Sequence, residues 1–465
     1  MPAERLLFLT GRLAEPRLKR VLESLGVTEF EWQALDIGVK VAALMTEAII
    51  RRRLPRPVPA DRVILPGRCR ADLDALSRDL GVPFASGPDE VSDLPAFLGR
   101  GGIEPDLSRT DIRIFAEIVE AAELSVDAIV AKALRLKESG ADVIDLGCLP
   151  DTPFPHLENA VRALKAQNFS VSVDSADPDE LRSGNRAGAD FLLSLTTETL
   201  HIAEEGNAVP ILIPATPGDL PSLVAAIDQA QARGLPFLAD PVLDPIHFGF
   251  TASLMRYAEL RRLRPNVEIL MGTGNLTELT DADSAGVTAV LVGICSELHI
   301  KNILCVQVSP HTRRTVEEHD AARRLMFAAR EDQSLPKGYG DMLLSLHDKK
   351  PFPVAPEEIA ALARELTDAN FRIEAAADGI HVYNRDGHHV AADAFSLFPK
   401  LGVEHDGPHA FYLGAELMKA EIAFSLGKRY AQDEPLDWGV AADKPAEDRT
   451  RLAEAGHTLR AKKGG

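Results

Sequence analysis

The chain has 465 residues, more than one compact core usually holds, so two or three domains are expected. Hydrophobic residues make up 45% and charged residues 26%, a balance typical of a folded globular protein. The formal net charge of −19 argues against nucleic-acid and membrane partners, because an acidic surface repels phosphate groups. Four scattered cysteines without a CxxC pair, and an N-terminus without a signal-peptide or membrane-span pattern, predict a cytoplasmic protein.

Residues 1–101 alternate short apolar runs with stretches of helical spacing that end in glycine. This alternation predicts a small α/β domain. The strand-like runs are 5–11 and 61–67, and the helical stretches are 15–26 and 70–81. The sequence GRGGIEPDLSRTD at 99–111 contains glycine and proline and is interpreted as a linker.

Eight apolar runs rich in Val, Ile and Leu recur between residues 102 and 335, which predicts a second domain. The runs are 112–118, 141–147, 169–175, 189–195, 208–215, 236–242, 267–275 and 302–309. Strands buried on both faces have this composition, and helical stretches separate them. Eight β/α units over this length favour a closed parallel (β/α)₈ barrel, with a doubly wound open sheet as the alternative.

The sequence pattern changes in residues 336–465. It predicts a hairpin around the NRDG turn at 384–387 and a long apolar helix at 409–427. They predict a small C-terminal α+β domain that ends in a disordered polar tail. The fold class is therefore α/β, with a central barrel flanked by a small N-terminal α/β domain and a small C-terminal α+β domain.

Polar residues stand at the ends of several apolar runs of the predicted barrel. They are Asp145, Asp174, Ser194, Asp240 and Asn275. In such barrels the chemistry lies at the carboxyl ends of the strands, so these side chains are expected to face one mouth. For Asp174 and Asp240 a helix N-cap is the structural alternative, and for Asp240-Pro241 an Asp-Pro turn is a further one. Carboxylates that converge would suit a heterocycle with several N–H donors, because an ionised carboxylate only accepts hydrogen bonds.

The runs GADVIDLG, VSVDS, GADFLLSLT, FLADP and MGTGN resemble the pterin-binding TIM barrel family. That family contains dihydropteroate synthases and methyltetrahydrofolate:corrinoid methyltransferases. The resemblance implies that Asp174 and Asp240 hold the pyrimidine edge of a pterin, with Asp145 and Ser194 in the same site. Asn275 matches the asparagine of the methyltransferases, whereas the Ser-Arg-Lys that synthases carry at this place is missing from GTGNLTE.

A basic segment, SPHTRRTVEEHD, follows the eighth predicted strand. Its residues His311, Arg313 and Arg314 resemble an Arg-x-His element with which the synthases hold a phosphate-bearing group. Two guanidinium groups near a helix start suit an anion. A solvated basic helix start is the alternative interpretation.

With FLTGRLAEPRLKRVLESLG near its start and GPHAFYLGAELMKAEIAFSLG near its end, the whole chain resembles dihydropteroate synthase-like proteins of methanogens and methylotrophs that use tetrahydromethanopterin. The resemblance implies condensation of a dihydropterin methyl diphosphate with an arylamine that carries a phosphate, with Mg²⁺ as a candidate companion of the diphosphate. The alternatives are a methyltransferase that uses a methylated tetrahydropterin and a corrinoid, and a pterin-binding scaffold without catalysis. The ligand is expected to be a reduced pterin of the tetrahydromethanopterin type, and a homodimer is compatible with the sequence.

Other polar patterns do not predict a site. His405 and His409 lie four residues apart, with His388-His389 nearby in sequence, but Asp-Gly-Pro between them implies a turn and not the helix face that a metal site would need. Cys148 follows Asp145 but lacks a base that would make it a nucleophile. No dinucleotide fingerprint or P-loop is present, and no metal site is predicted.

Overall fold

The first four strands form a parallel sheet with the order β2-β1-β3-β4. The strands are β1 (Glu4–Thr10), β2 (Phe30–Asp36), β3 (Arg62–Leu65) and β4 (Phe84–Ser86), and the helices are α1 (Glu15–Ser24), α2 (Glu47–Arg53), α3 (Leu73–Leu80) and α4 (Leu94–Phe97). Leu7 and Leu9 pack on one face of β1, whereas Leu6 and Phe8 pack on the other. Both faces of the central strand are therefore buried, as the predicted α/β layering requires.

The computed structural model describes residues 3–26, 28–88, 91–99 and 105–443. Its two compact units are Met1–Gly340 and Asp341–Gly465. Residues 100–104 of the predicted linker and the polar tail from 444 onward lie outside the described residues. The division into domains 1–101, 102–335 and 336–465 stays a prediction.

The next eight strands form a closed parallel barrel, which confirms the predicted fold class. They are β5 (Arg113–Ile118), β6 (Val143–Gly147), β7 (Ser170–Asp174), β8 (Phe191–Leu195), β9 (Val209–Leu212), β10 (Leu238–Ala239), β11 (Leu270–Gly272) and β12 (Asn302–Cys305). Neighbours in sequence pair from β5 to β10, and β11 pairs with β12, which pairs with β5. A single bridge between Ala239 and Ile269 closes the ring, so the open-sheet alternative is wrong.

Helices connect most of the barrel strands. They are α5 (Val126–Glu138), α6 (Leu157–Ala166), α7 (Pro178–Ala187), α8 (Leu220–Ala232), α9 (Phe250–Leu263), α10 (Gly274–Thr277), α11 (Ser284–Glu297) and α12 (Thr315–Glu331). Only a 3₁₀ segment, Leu200–Glu205, follows β8. None of the described helices has the length and apolarity that crossing a membrane would require.

The second unit has an antiparallel sheet of three strands, one more than the predicted hairpin. The strands are β13 (Arg372–Ala376), β14 (Gly379–Asn384) and β15 (Gly387–Ala391), and the helices are α13 (Pro356–Glu365), α14 (Ala394–Leu397) and α15 (Gly407–Leu426). Asp406 caps α15 by accepting a hydrogen bond from the amide of His409, and Gly427 ends it with a φ of 65°. The Asp-Gly-Pro sequence thus starts a helix where a turn was expected.

Candidate functional site

Four acidic side chains lie inside the barrel toward the carboxyl ends of its strands. Side chains alternate along a strand, so a residue two positions beyond an inward-facing one also faces inward. Phe115, Val143, Leu238 and Leu270 belong to the apolar cluster that fills the barrel. Two positions further along each strand the chain places Glu117, Asp145, Asp240 and Gly272, and the fourth acid, Asp174, ends β7.

Asp145 is the most deeply buried of these acids, with 0% of its surface exposed. Its neighbours in register are Glu117 on β5 and Ser172 on β7. Within the described part of the chain, neither carboxylate oxygen of Asp145 nor the hydroxyl of Ser172 has a hydrogen-bond partner. Asp145 therefore lies inside the strand and below the rim, whereas the sequence predicted a strand-end position.

Burial, followed by the charges of Asp174 and Glu117, raises the pKa of Asp145 well above its ordinary value. A buried carboxylate without a partner costs free energy, so it is favoured in the neutral form or beside a hydrogen-bond donor. The floor of the mouth consequently holds a carboxyl group without a hydrogen-bond partner, with the Ser172 hydroxyl beside it on β7.

Glu117 is a site residue that the sequence analysis missed. It lies on β5 but is followed by Ile118, so no polar residue marks the strand end. Burial, followed by the charge of Asp174, raises the pKa of Glu117 to about 7. A Cβ atom on Gly147, at the end of β6, would meet Glu117 Oε1, so the Glu117 carboxylate occupies the space beside this glycine. The period of two from Phe115 is the signal that would have identified Glu117.

Asp174 and Ser194 form a hydrogen-bonded pair at the ends of β7 and β8. Ser194 Oγ donates to Asp174 Oδ1 at 2.6 Å. Burial raises the pKa of Asp174, and this hydrogen bond partly opposes the shift. Ser194 has a φ of 72°, an uncommon conformation for a residue with a side chain, beside an irregularity in the β8–β9 pairing. Asp177 caps α7, so the N-cap alternative is wrong for Asp174.

Asp240 follows β10 and is 9% exposed. Its Oδ1 accepts hydrogen bonds from Tyr257 Oη at 2.6 Å and from the amide of Val242 at 2.7 Å. The bond to Val242 is the Asp-Pro turn that the sequence left open as an alternative, but the turn also buries the carboxylate. Burial raises the pKa of Asp240 to about 6, although both hydrogen bonds act to lower it.

The other oxygen of Asp240 faces the barrel interior above Gly272. A Cβ atom added to Gly272 would meet only this oxygen, Oδ2, at 3.9 Å. The hydrogen bonds described above leave Oδ2 of Asp240 and Oδ2 of Asp174 without a donor in the described residues. The mouth therefore presents two acceptor atoms, and Gly272 leaves space beside the one on Asp240.

The loop after Asp240 is strained and held in place. Val242 has a φ of 65°, which is an outlier for a β-branched residue. The guanidinium group of Arg256 donates to the carbonyls of Pro241 at 3.3 Å and Val242 at 2.8 Å. It also pairs with Asp244 at 2.6 Å, with both side chains largely buried. Arg256 on α9 thus stabilises the strained backbone of this loop. The loop, held in this way, fixes the direction of the Asp240 side chain.

Substituting Tyr257→Phe is expected to destabilise the barrel by about 1–3 kcal/mol, because a buried acceptor loses its donor. The loss should be larger at pH 8 than at pH 5, since Asp240 is ionised above a pKa of about 6. Urea unfolding at the two pH values measures both effects. Tyr412→Phe, in the second unit, serves as a control because it also removes a hydroxyl that donates to an aspartate. An equal loss at both pH values would contradict the assigned role.

Asn275 lies after β11 and is exposed at the mouth. Its Nδ2 donates to the carbonyl of Leu243 at 2.8 Å, which joins this loop to the loop that carries Asp240. Behind it, Thr273 Oγ1 lies 3.1 Å from His319 Nε2. Burial lowers the pKa of His319 to about 4, so this imidazole is neutral and anchors the loop from within.

The basic segment follows β12 but makes no described contact with the acids. His311 Nε2 lies 3.1 Å from the carbonyl of Thr277. Arg314 pairs with Glu317 at 3.1 Å, so its charge is already compensated. Arg313 is exposed and donates to the carbonyl of Pro310 at 3.3 Å. Of the two predicted phosphate-binding arginines, Arg313 is exposed and Arg314 is partly buried.

The histidines of the second unit form a small cluster on its sheet. His381 Nδ1 lies 2.9 Å from His388 Nε2, and His381 Nε2 lies 2.8 Å from Asp378 Oδ1. Across the described ranges, no group of three or more His, Cys, Asp or Glu side chains is arranged to hold a metal ion.

Cys148 lies near the barrel mouth, where burial, followed by the charge of Glu180, raises the pKa of its thiol. A thiol with a raised pKa is a poor nucleophile.

Comparison with known proteins gives one full-length relative and one partial family match. An uncharacterized protein of Methanocaldococcus jannaschii is 25% identical over an alignment of 532 residues, which covers 92% of this chain and 98% of the relative. A family of unknown function, DUF6513, matches residues 4–89, the segment that contains β1 to β4.

Among solved structures, similar chains include dihydropteroate synthases. The enzyme of Yersinia pestis with a pterine-sulfa conjugate is 19% identical, with a TM-score of 0.38 over 49% of this chain and 95% of that chain. The enzyme of Vibrio fischeri is 18% identical, with a TM-score of 0.38 over 48% and 94%. The enzyme of Thermus thermophilus is 20% identical, with a TM-score of 0.37 over 48% and 95%.

Proposed function

We propose that the barrel mouth binds a reduced pterin and that the chain is a pterin-dependent transferase of the dihydropteroate synthase-like kind. The observation that carries this proposal is the group of acids at the mouth: in the described residues both carboxylate oxygens of Asp145 lack a hydrogen-bond partner, and Asp174 and Asp240 each keep one oxygen without a donor. The pyrimidine edge of a pterin offers several N–H groups to such acceptors. The sequence motifs around Asp174 and Asp240 support the same ligand.

Asp174 and Asp240 are assigned to the N–H groups of the pterin. Each already uses one oxygen for an internal donor, Ser194 or Tyr257, so its position is fixed before the ligand arrives. The second oxygen of each remains for the ligand. Gly272, beside Asp240, has no side chain that would fill the mouth.

The reaction proposed for this site joins the pterin to an arylamine. The bond between the pterin methylene carbon and the diphosphate oxygen breaks, and its electron pair leaves with the diphosphate. The amine nitrogen forms a new bond to that carbon. The nitrogen then loses a proton, for which a carboxylate with a pKa near neutrality, such as Glu117, is a suitable acceptor. The surrounding carboxylates favour the positive charge that develops on the methylene carbon.

Arg313 is assigned to a phosphate of the arylamine or to the departing diphosphate, because it is an exposed arginine of the basic segment that follows β12. His311 and Arg314 lie in the same segment and are assigned to positioning it. The described residues do not provide a dedicated set of metal ligands, so no step is assigned to Mg²⁺.

A second candidate function is methyl transfer from a methylated tetrahydropterin to a corrinoid. The position of Asn275 favours it, because this side chain lies at the mouth beside the Asp240 loop and is able to hydrogen-bond to a ring nitrogen. The missing basic residues after β11 favour it as well.

The decisive experiment incubates the purified protein with a 6-hydroxymethyl-dihydropterin diphosphate and a phosphorylated arylamine. Release of diphosphate that depends on both substrates is expected, and Asp240→Ala should abolish it. The matched control Asp228→Ala, on the outer face of α8, should leave it unchanged. Tight binding of a reduced pterin without diphosphate release would contradict the condensation and leave methyl transfer or a scaffold, which methyl transfer to a corrinoid then separates.

A further inference from the structure

The N-terminal sheet has a point at which its strand order reverses. The chain runs from β1 outward to β2 and then returns to the other side of β1 for β3 and β4. In open α/β sheets, ligands bind in the crevice outside the carboxyl ends of the strands at such a point. The gap between the ends of β1 and β3 is therefore the place where this sheet would hold a ligand.

A cavity of about 190 Å³ lies at this gap. Its walls come from the ends of β1 and β3, the start of α1, residues 41–42 and the loop after β4, and residues 334, 335 and 337 after α12 complete it. Most of the lining is apolar, with Leu9, Leu13, Leu18, Leu65 and Leu94 among its members. In the described lining, the charged residues are Arg17, Arg68 and Lys337, and there is no acidic one.

Arg17 is a buried cation of this lining, with 7% of its surface exposed. Its guanidinium donates to the carbonyls of Lys337 at 2.8 Å and Gly338 at 3.2 Å and lies 4.3 Å from the ring centre of Tyr339. No carboxylate in the described residues forms an ion pair with it. A buried charge without a counter-charge is costly, and a bound anion would compensate it.

We propose that this crevice binds a small anionic ligand, an aromatic ring or short branched chain that carries one carboxylate. The apolar walls would enclose the hydrocarbon part, and Arg17 would offset the negative charge. The volume is adequate, because a protein cavity of roughly 150 Å³ accommodates benzene. This site is separate from the barrel mouth, and neither proposal depends on the other.

Calorimetric titration of the full chain with benzoate and with benzamide tests the proposal at low salt. The two probes have nearly the same shape, and only benzoate is charged. Benzoate is expected to bind at least about tenfold more tightly than benzamide, and Arg17→Met should reduce this preference below about threefold. Arg20→Met is the matched control, because Arg20 lies one turn further along α1, bonds to the carbonyl of Glu331 and is not part of the cavity lining.

A second variant keeps the test decisive if Arg17→Met does not fold. Val41→Phe places a ring in the cavity while Arg17 stays, so binding of both probes should be lost. Equal binding of benzoate and benzamide, binding of neither probe to the wild-type chain, or benzoate binding that survives Val41→Phe would each overturn the proposal. An Arg17→Met variant that folds and keeps the full preference for benzoate would do so as well.

Discussion

Replacing Asp240 by asparagine is expected to weaken the binding of a reduced pterin by about 10- to 150-fold. The substitution keeps the shape of the side chain but removes the negative charge, and a hydrogen bond to a charged group contributes about 1.5–3 kcal/mol. Tyr257 and Val242 would still hold one end of the amide, so the fold should persist. Titration with 6-hydroxymethyl-7,8-dihydropterin, followed by fluorescence, measures the change in affinity.

Asp228→Asn is the matched control for this prediction. Asp228 is a half-exposed aspartate of the same barrel, on the outer helix α8, where it pairs with Arg264. Its substitution should leave the affinity within about twofold, because no ligand atom lies near it. If both variants bind the pterin as tightly as the wild-type chain, the barrel mouth is not the pterin site.

The ligand-free barrel should lose stability as the pH rises from 6.5 to 8.5. The pKa values of Glu117, at about 7, and of Asp145, well above its ordinary range, exceed those of the unfolded chain. The folded chain therefore keeps protons that the unfolded chain releases, and the free energy of unfolding falls as the pH passes through the folded pKa values. Each unit of pKa shift corresponds to about 1.4 kcal/mol, so urea unfolding resolves the change.

Asp145→Asn should flatten this pH dependence and stabilise the ligand-free barrel at pH 8.5 by at least about 1 kcal/mol. The asparagine amide would donate to neighbouring carboxylates that now lack donors. Asp61→Asn is a control of opposite sign, because hydrogen bonds from Arg5 lower the pKa of Asp61 to about 2. The folded His319 is neutral throughout this range, because burial lowers its pKa to about 4. A profile unchanged by Asp145→Asn would show that Asp145 is not the source of the slope.

The barrel could be predicted from the sequence because each of its strands is buried on both faces and is therefore an apolar run. The N-terminal sheet was predicted only in part, because two of its four strands are not long apolar runs. β2 is an edge strand whose residues alternate between half-buried and exposed, and β4 has three residues, so neither gives a long apolar run.

The site was predicted where polar residues interrupt apolar strands, as at Asp174 and Asp240. Glu117 was not predicted as a site residue, because an isoleucine follows it at the strand end. The depth of Asp145 in the barrel was not predicted, because a sequence motif does not give a position along the barrel axis. Tyr257 and Arg256 lie on a helix that follows the strand end by ten residues, and their role depends on how that helix folds back. Such contacts between distant parts of the chain are not encoded in a local pattern.

The single bridge between Ala239 and Ile269 has a consequence for how the barrel responds to a ligand. β10 has two residues and β11 has three, so this seam is the part of the wall with the fewest backbone hydrogen bonds. Asp240 stands at one side of the seam and Gly272 at the other. A pterin held by Asp240 and packed against Gly272 would bridge this seam, so the barrel should open least readily when the ligand is bound.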